Sequence, residues 1–199
     1  MLIKASRITN LTDARYFAAK EVDFLGFNLE EGTEGYLDPV YMKAIREWVE
    51  GPKITGEFSR TPAPVVREYA TFFGLDAVQV TGACRAQLPE LEGLTVILEV
   101  QASEERDSLE RLFRESAPYV AYFLVKFRPG TSLLQETEFW RKCCAAFPVL
   151  LEGDMPAGLL PEILESIRPA GLSLAGGEEE KVGVKSFDEI EDIFEALGR

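Results

Sequence analysis

The sequence predicts an α/β protein with a single domain spanning 1–199, folded as a closed (β/α)8 barrel. Short apolar runs recur at intervals of roughly 20 to 30 residues, and amphipathic segments with helix punctuation lie between them, which is the pattern of a parallel sheet. Eight such units in 199 residues favour closure over the competing doubly wound open sheet. No GxGxxG loop follows the first run, which also weighs against a dinucleotide-binding open sheet. The expected architecture is the TIM barrel, near its lower limit of length, with short loops and no second domain.

The predicted strands are Ile3 to Ser6, Phe24 to Asn28, Lys53 to Ser59, Ala77 to Thr81, Val96 to Gln101, Tyr122 to Phe127, Val149 to Glu152 and Leu172 to Ala175. After the first, Thr9 or Asn10 can cap a helix whose first turn carries Asp13. Asp38-Pro39 opens a second helix that Gly51 closes, and Thr61-Pro62 opens a third that Gly74 closes, each with proline at the first helical position. Ser103 precedes Glu104 and Glu105, which favour the positive end of a helix dipole. Ser186 and Glu189 have capping-box spacing.

Composition narrows the function. The formal net charge is −13, from 34 acidic and 21 basic residues, so the molecule repels phosphate backbones and anionic membranes; no nucleic-acid partner is expected. No run approaches the roughly 18 apolar residues of a membrane span, and the N-terminus lacks the apolar stretch of a signal peptide. Three cysteines form no CxxC pair and no even framework, as expected of reduced thiols in a soluble cytoplasmic protein. There is no histidine, so the usual general base and the commonest metal ligand are both missing. Proton transfer would fall to carboxylates, Lys, Tyr or Cys, and no cofactor or metal motif is present.

In order, "RITNLTDA", "DFLGFNLEEGTEGYLDP", "GLDAVQVTG", "FPVLLEGDMPAGLLPEIL" and "PAGLSLAGGEEEKVGVKSFDEIEDIFEAL" resemble the phosphoribosylanthranilate isomerases of tryptophan biosynthesis. The resemblance is strongest around Asn10 to Ala14 and Gly74 to Gly82 and weak between Ala83 and Pro148. It implies a single-domain (β/α)8 barrel and an Amadori rearrangement, in which a general acid opens the ribose ring and a general base removes the C2′ proton. At the positions it implies, the chain departs from the family. Ser6 stands for the cysteine base, with Arg7 where the family has glycine, and Val125 stands for the aspartate acid, with Lys126 beside it. Gly35 replaces a substrate-binding arginine, and Thr81 a histidine. A serine hydroxyl has a far higher pKa than a thiol and needs a base of its own, for which Lys4 is nearest in sequence.

The implied phosphate site changes too. Glu152-Gly153-Asp154 puts acids where the family has small residues, while Ala175-Gly176-Gly177 keeps its glycines but runs into Glu178, Glu179 and Glu180, read as a solvated loop. One carboxylate about 5 Å from one phosphate charge costs about 3 kcal/mol at an effective dielectric near 20, so a phosphorylated ligand is disfavoured unless Arg7, Lys126 or Arg128 compensates.

Each candidate also has a plainer reading. Ser6 is either a weak nucleophile or hydrogen-bond donor, or a small filler. Arg7 either binds an anionic ligand or pairs with Glu152 or Asp154. Lys126 suits a Schiff-base lysine by position, but with Val125 inward, strand alternation would turn it outward. Glu57, Glu99, Glu152 and Asp154 fall near the ends of odd-numbered strands. They either converge in the mouth, suiting a hard cation or a ligand amine, or are solvated acids. The ligand-binding candidates are therefore Ser6, Arg7, Thr81, Glu152, Gly153, Asp154, Gly176 and Gly177, with no catalytic residue retained and no metal site. The expected function is a non-isomerising barrel, a pseudoenzyme, that binds a small molecule or a protein partner. The alternatives are a working isomerase with relocated groups, or an enzyme of other chemistry using an acidic mouth.

Overall fold

The computed structural model describes residues 1–175, 179–181, 184, 185 and 187–198. Eight parallel strands close into a barrel in chain order: β1 (Leu2–Ser6), β2 (Phe24–Asn28), β3 (Lys53–Phe58), β4 (Ala77–Thr81), β5 (Val96–Gln101), β6 (Tyr122–Lys126), β7 (Val149–Glu152) and β8 (Gly171–Ala175). β8 returns to β1 through five register pairs, from Leu2 with Gly171 to Ser6 with Ala175, which seals the last edge. The observed strands match the predicted runs to within one residue at either end.

The outer layer holds α1 (Leu11–Ala19), α2 (Pro39–Arg46), α3 (Ala63–Phe73), α4 (Arg106–Ser116), α5 (Thr137–Ala146), α6 (Leu160–Ile167) and α7 (Asp188–Ala196). A short antiparallel pair, β9 (Glu179–Lys181) and β10 (Val184–Lys185), precedes α7. Asn10 caps α1 by accepting from the Asp13 amide, and Asp38 caps α2 by accepting from Val40 N at 2.7 Å.

Several boundaries differ from expectation. α2 ends at Arg46 rather than running to Gly51. α3 begins one residue late, at Ala63, because the Thr61 hydroxyl donates to Glu30 and Pro62 takes the cap position. Gly74 closes α3 as expected, with φ 62 in the left-handed region. α4 starts at Arg106, past Ser103. Ser186 lies outside the described residues. The connection from β4 to β5 is 3-10 turns over Gly82–Leu91 rather than an α-helix, with Pro89 inside it lacking the N–H that α-helical bonding would need.

Strand alternation sorts the side chains into two environments. One parity, with Ile3, Ala5, Leu25, Phe27, Val78, Val80, Leu98, Phe123, Val125, Leu151, Leu172 and Leu174, packs outward against the helices in one continuous core. The other faces the barrel axis. Its floor is apolar, with Ile97, Leu124 and Leu150 fully buried against Leu2, Tyr122 and Ala170.

Above that floor the interior turns polar, and Lys4 sits there with no exposed surface, ion-paired to Glu57. The pair needs the missing side chain of Gly26. A Cβ at that position would lie 2.6 Å from Lys4 Nζ and closer still to Glu57 Oε1. Gly26→Ala is therefore expected to destabilise the protein by about 1 to 3 kcal/mol, the usual range for overpacking, in denaturant unfolding; an unchanged midpoint would show that the pair can move aside.

Candidate functional site at the barrel mouth

The mouth is built by inward positions at the C-terminal ends of the strands, where (β/α)8 barrels assemble their sites. On β1, Lys4 and Ser6 share a face. Lys4 Nζ donates to Ser6 Oγ at 2.7 Å and pairs with Glu57 of β3. Ser6 Oγ lies 2.7 Å from Ser173 Oγ of β8, and Ser173 donates to Glu152 Oε2 of β7 at 2.7 Å. Ser6 is thus fixed by three neighbours and has only 3% exposure. Its hydroxyl is occupied by partners inside the protein.

A second chain of charges crosses the mouth. Lys126 of β6 lies 3.4 Å from Glu152 and 3.5 Å from Glu99 of β5, and Gln79 of β4 donates to Glu99 Oε2 at 2.8 Å. The two glutamates respond oppositely to their surroundings. For Glu99, burial is the largest influence and raises the carboxyl pKa, outweighing the lowering by Lys126. For Glu152, burial also pushes upward, but Lys126, Lys4, the Ser173 hydroxyl and Arg7 outweigh it and hold the carboxyl below its ordinary value. Burial works to lower the Lys126 ammonium, yet Glu152 and Glu99 win and raise it, which keeps the amine protonated.

Three expectations about side-chain direction are corrected here. Lys126 points into the mouth, not outward, and Val125 points away from it, fully buried in the outer core. The reason is parity: Leu124 belongs to the barrel floor, so Lys126, two residues on, must share its face. The acid position assigned to Val125 therefore cannot act on a ligand in the mouth. Arg7 does not pair with Glu152 or Asp154; the ion pairs among the described residues leave it out, and it adopts a left-handed backbone with φ 56. Arg128 lines a separate pocket with Ser103, Arg106 and Trp140, away from the mouth.

Other candidates fall as follows. Glu57, Glu99 and Glu152 do converge, while Asp154 sits on the rim and accepts from Gly130 N at 2.6 Å, tying the loops after β6 and β7 together. Thr81 reaches the mouth but donates to Ser59 O at 2.7 Å, so its hydroxyl holds the loop after β3. Gly153 packs against Phe127, whose Cβ would lie 2.9 Å from any Cβ placed there. Gly35 has φ 72, a backbone that suits glycine and strains an arginine. Gly176 and Gly177 lie outside the described residues. Lys4, Gln79 and Ser173 were missed as candidates, although polar residues at alternate positions in otherwise apolar strands signal them.

Two cavities meet at this network. One of about 200 Å³ is lined by Ser6, Arg7, Glu57, Gln79, Glu99 and Lys126 among others. A wider cleft of about 830 Å³ opens beside it over Glu152, Gly153, Asp154, Ser173 and the start of α7, again with Arg7 and Lys126 on its wall. Glu57, Glu99 and Glu152 are balanced by Lys4, Lys126 and Arg7, so the interior of the mouth is close to neutral despite the acidic surface. Among the described residues no cluster of carboxylates or thiols could hold a metal ion, because lysines stand between the glutamates.

No family model matches the chain. A phosphoribosylanthranilate isomerase from Maridesulfovibrio salexigens is 25% identical over all of this chain and 99% of its own length. The phosphoribosylanthranilate isomerase structure from Thermotoga maritima superposes with a TM-score of 0.81 at 23% identity, covering both chains completely. Another structure of such an isomerase, at 22% identity and a TM-score of 0.78 with both chains fully covered, was solved in complex with reduced 1-(o-carboxyphenylamino)-1-deoxyribulose 5-phosphate. Over its full length the chain is similar to phosphoribosylanthranilate isomerases, with about a quarter of its positions identical. The two carboxylates flanking Lys126 make a direct test of the electrostatics possible. Glu99 binds its proton more readily in the folded state, so its contribution to stability is lost as pH rises; Glu152 binds its proton less readily, so its contribution is lost as pH falls. The stability advantage of the unmodified protein over Glu99→Gln should shrink as pH rises above the ordinary carboxylate range, and its advantage over Glu152→Gln should shrink as pH falls through and below that range, both by denaturant unfolding.

Proposed function

We propose that this barrel no longer catalyses the isomerisation for which its relatives are named and instead binds a small molecule at the mouth. The observation that supports this best is the pair of groups at the strand ends where the family resemblance implies a base and an acid. The β1 end carries Ser6, bonded into Lys4 and Ser173. The inward residue at the β6 end is Lys126, an ammonium held charged between two carboxylates. A serine without a free base is a poor proton acceptor, and an amine whose pKa is raised is a poor general acid near neutral pH. Neither side chain supplies the implied chemistry.

The electrostatics also bear on ligand class. The repulsion expected of Glu152 toward a phosphate is offset by Lys126 and by the Ser173 hydroxyl, and Asp154 is engaged by an amide. The mouth therefore disfavours a phosphate dianion less than the loop sequence alone suggests. It offers cation and anion partners in nearly equal number, which supports a polar ligand carrying both kinds of group.

A second reading, an isomerase with relocated groups, draws support from the opposite shifts of Glu99 and Glu152, since carboxyls pushed apart in pKa are how a site keeps one acid and one base. Complementation of a strain lacking the isomerase separates the two, because very small activities support growth. No growth is expected from the unmodified gene at low expression; robust growth would reject the non-isomerising reading in favour of the relocated pair. The double change Ser6→Cys with Lys126→Asp should still fail, since Arg7 and Gly35 remain. Val125→Asp should instead cost about 3 kcal/mol or more of stability, because it buries an unpaired carboxylate in the outer core. A Val125→Asp protein as stable as its parent would overturn the parity assigned to β6.

A further inference from the structure

The small cavity in the mouth has two unlike walls. On one side, three adjacent strands present acceptors: Glu57 of β3 is in register with Gln79 of β4, and Glu99 of β5 is in register with Thr81. Gln79 is only 6% exposed, and its Oε1 has no hydrogen-bond partner. Its amide nitrogen donates to Glu99, which fixes the oxygen as the free acceptor. A buried carbonyl oxygen left in this state costs free energy unless something donates to it. On the other side stand cations. Lys126 is shared between its two glutamates, but Arg7 is not used by any ion pair among the described residues and lines both cavities.

Arg7 is also held at φ 56, a left-handed backbone that strains a residue with a side chain. A strained position carrying an unpaired guanidinium at the edge of a cavity is a place where a ligand interaction outweighs local stability. An arginine there offers the planar fork that a carboxylate fits.

We propose, building on the small-molecule reading above, that the cavity binds a small zwitterion of the α-amino-acid kind, with its ammonium on Glu57, Gln79 and Glu99 and its carboxylate on Arg7. The ammonium supplies the donor that Gln79 Oε1 lacks, and Glu57 Oε2, which otherwise accepts only from the Arg7 amide at 3.3 Å, takes a second hydrogen. The carboxylate supplies the direct ion-pair partner that Arg7 does not have among the described residues. The volume, about 200 Å³, suits a molecule of this size.

The test uses the full chain and calorimetric titration at low salt. The probes are the twenty proteinogenic amino acids in pools and then singly, with propionate and ethylamine as single-charge controls and ribose 5-phosphate as the phosphate control. At least one amino acid should bind, and propionate and ethylamine should bind at least tenfold more weakly. Arg7→Gly fits the backbone and should not lower the melting temperature, yet should weaken amino-acid binding by tenfold or more. Gln79→Met, which keeps the volume and removes the acceptor, should weaken it by a similar factor in a protein whose circular dichroism is unchanged. If no amino acid binds, if propionate binds as well as the best amino acid, or if Arg7→Gly leaves affinity intact, the proposal is overturned. Tight binding of ribose 5-phosphate alone would overturn it while leaving the small-molecule reading standing. Turnover of the isomerase substrate would instead reject that reading itself.

Discussion

The requirement that charges inside a barrel be paired governs this molecule. Lys4 is completely buried, and an ammonium in that position is tolerable only because Glu57 and Ser6 receive its protons. Space for the pair comes from Gly26 on the intervening strand, so three neighbouring strands are committed to one interaction. Ser6 then passes the network to Ser173 and Glu152, and Glu152 passes it through Lys126 to Glu99 and Gln79. The interior of the mouth is a single connected polar system spread over seven strands, β1 and β3 to β8, with β2 contributing the space left by Gly26.

Such a system resists piecemeal change. Removing one member leaves its partner buried and uncompensated, typically a cost of about 3 to 5 kcal/mol. The same bonds fix the positions of Ser6 and Lys126 at the mouth. Unused hydrogen-bonding capacity remains at the edge of the network, in Arg7, the second oxygen of Glu57 and the carbonyl oxygen of Gln79. Loop ties set the shape around them. Glu30 accepts from Ser59 N at 2.7 Å and Arg60 N at 2.9 Å, Thr81 holds the Ser59 carbonyl, and Asp154 holds Gly130, so residues that read as exposed polar loop positions are occupied in fixing the rim.

The amino-acid sequence by itself determined the barrel, because strand runs, caps and breakers are local signals and recur in every unit. Phe24 to Asn28 and Ala77 to Thr81 are legible as strands from their own residues, and Gly74 as a helix stop from its own backbone freedom. Parts of the mouth were legible too: strand ends alone place Ser6 and Glu152 there and bring Glu57 and Glu99 near it, but they left open whether the acids converge or are solvated. What only the tertiary structure decided is which way ambiguous side chains face and what they meet. The run "YFLVKF" is apolar on both sides, so nothing local says whether Val125 or Lys126 lies inward; the floor contact of Leu124 with Ile97 and Leu150 fixes it. The charge of the mouth was likewise undecidable from a list of acids, since the neutralising amines come from β1 and β6, more than a hundred residues apart along the chain. Electrostatic balance depends on distances between strands, and those exist only once the barrel has closed.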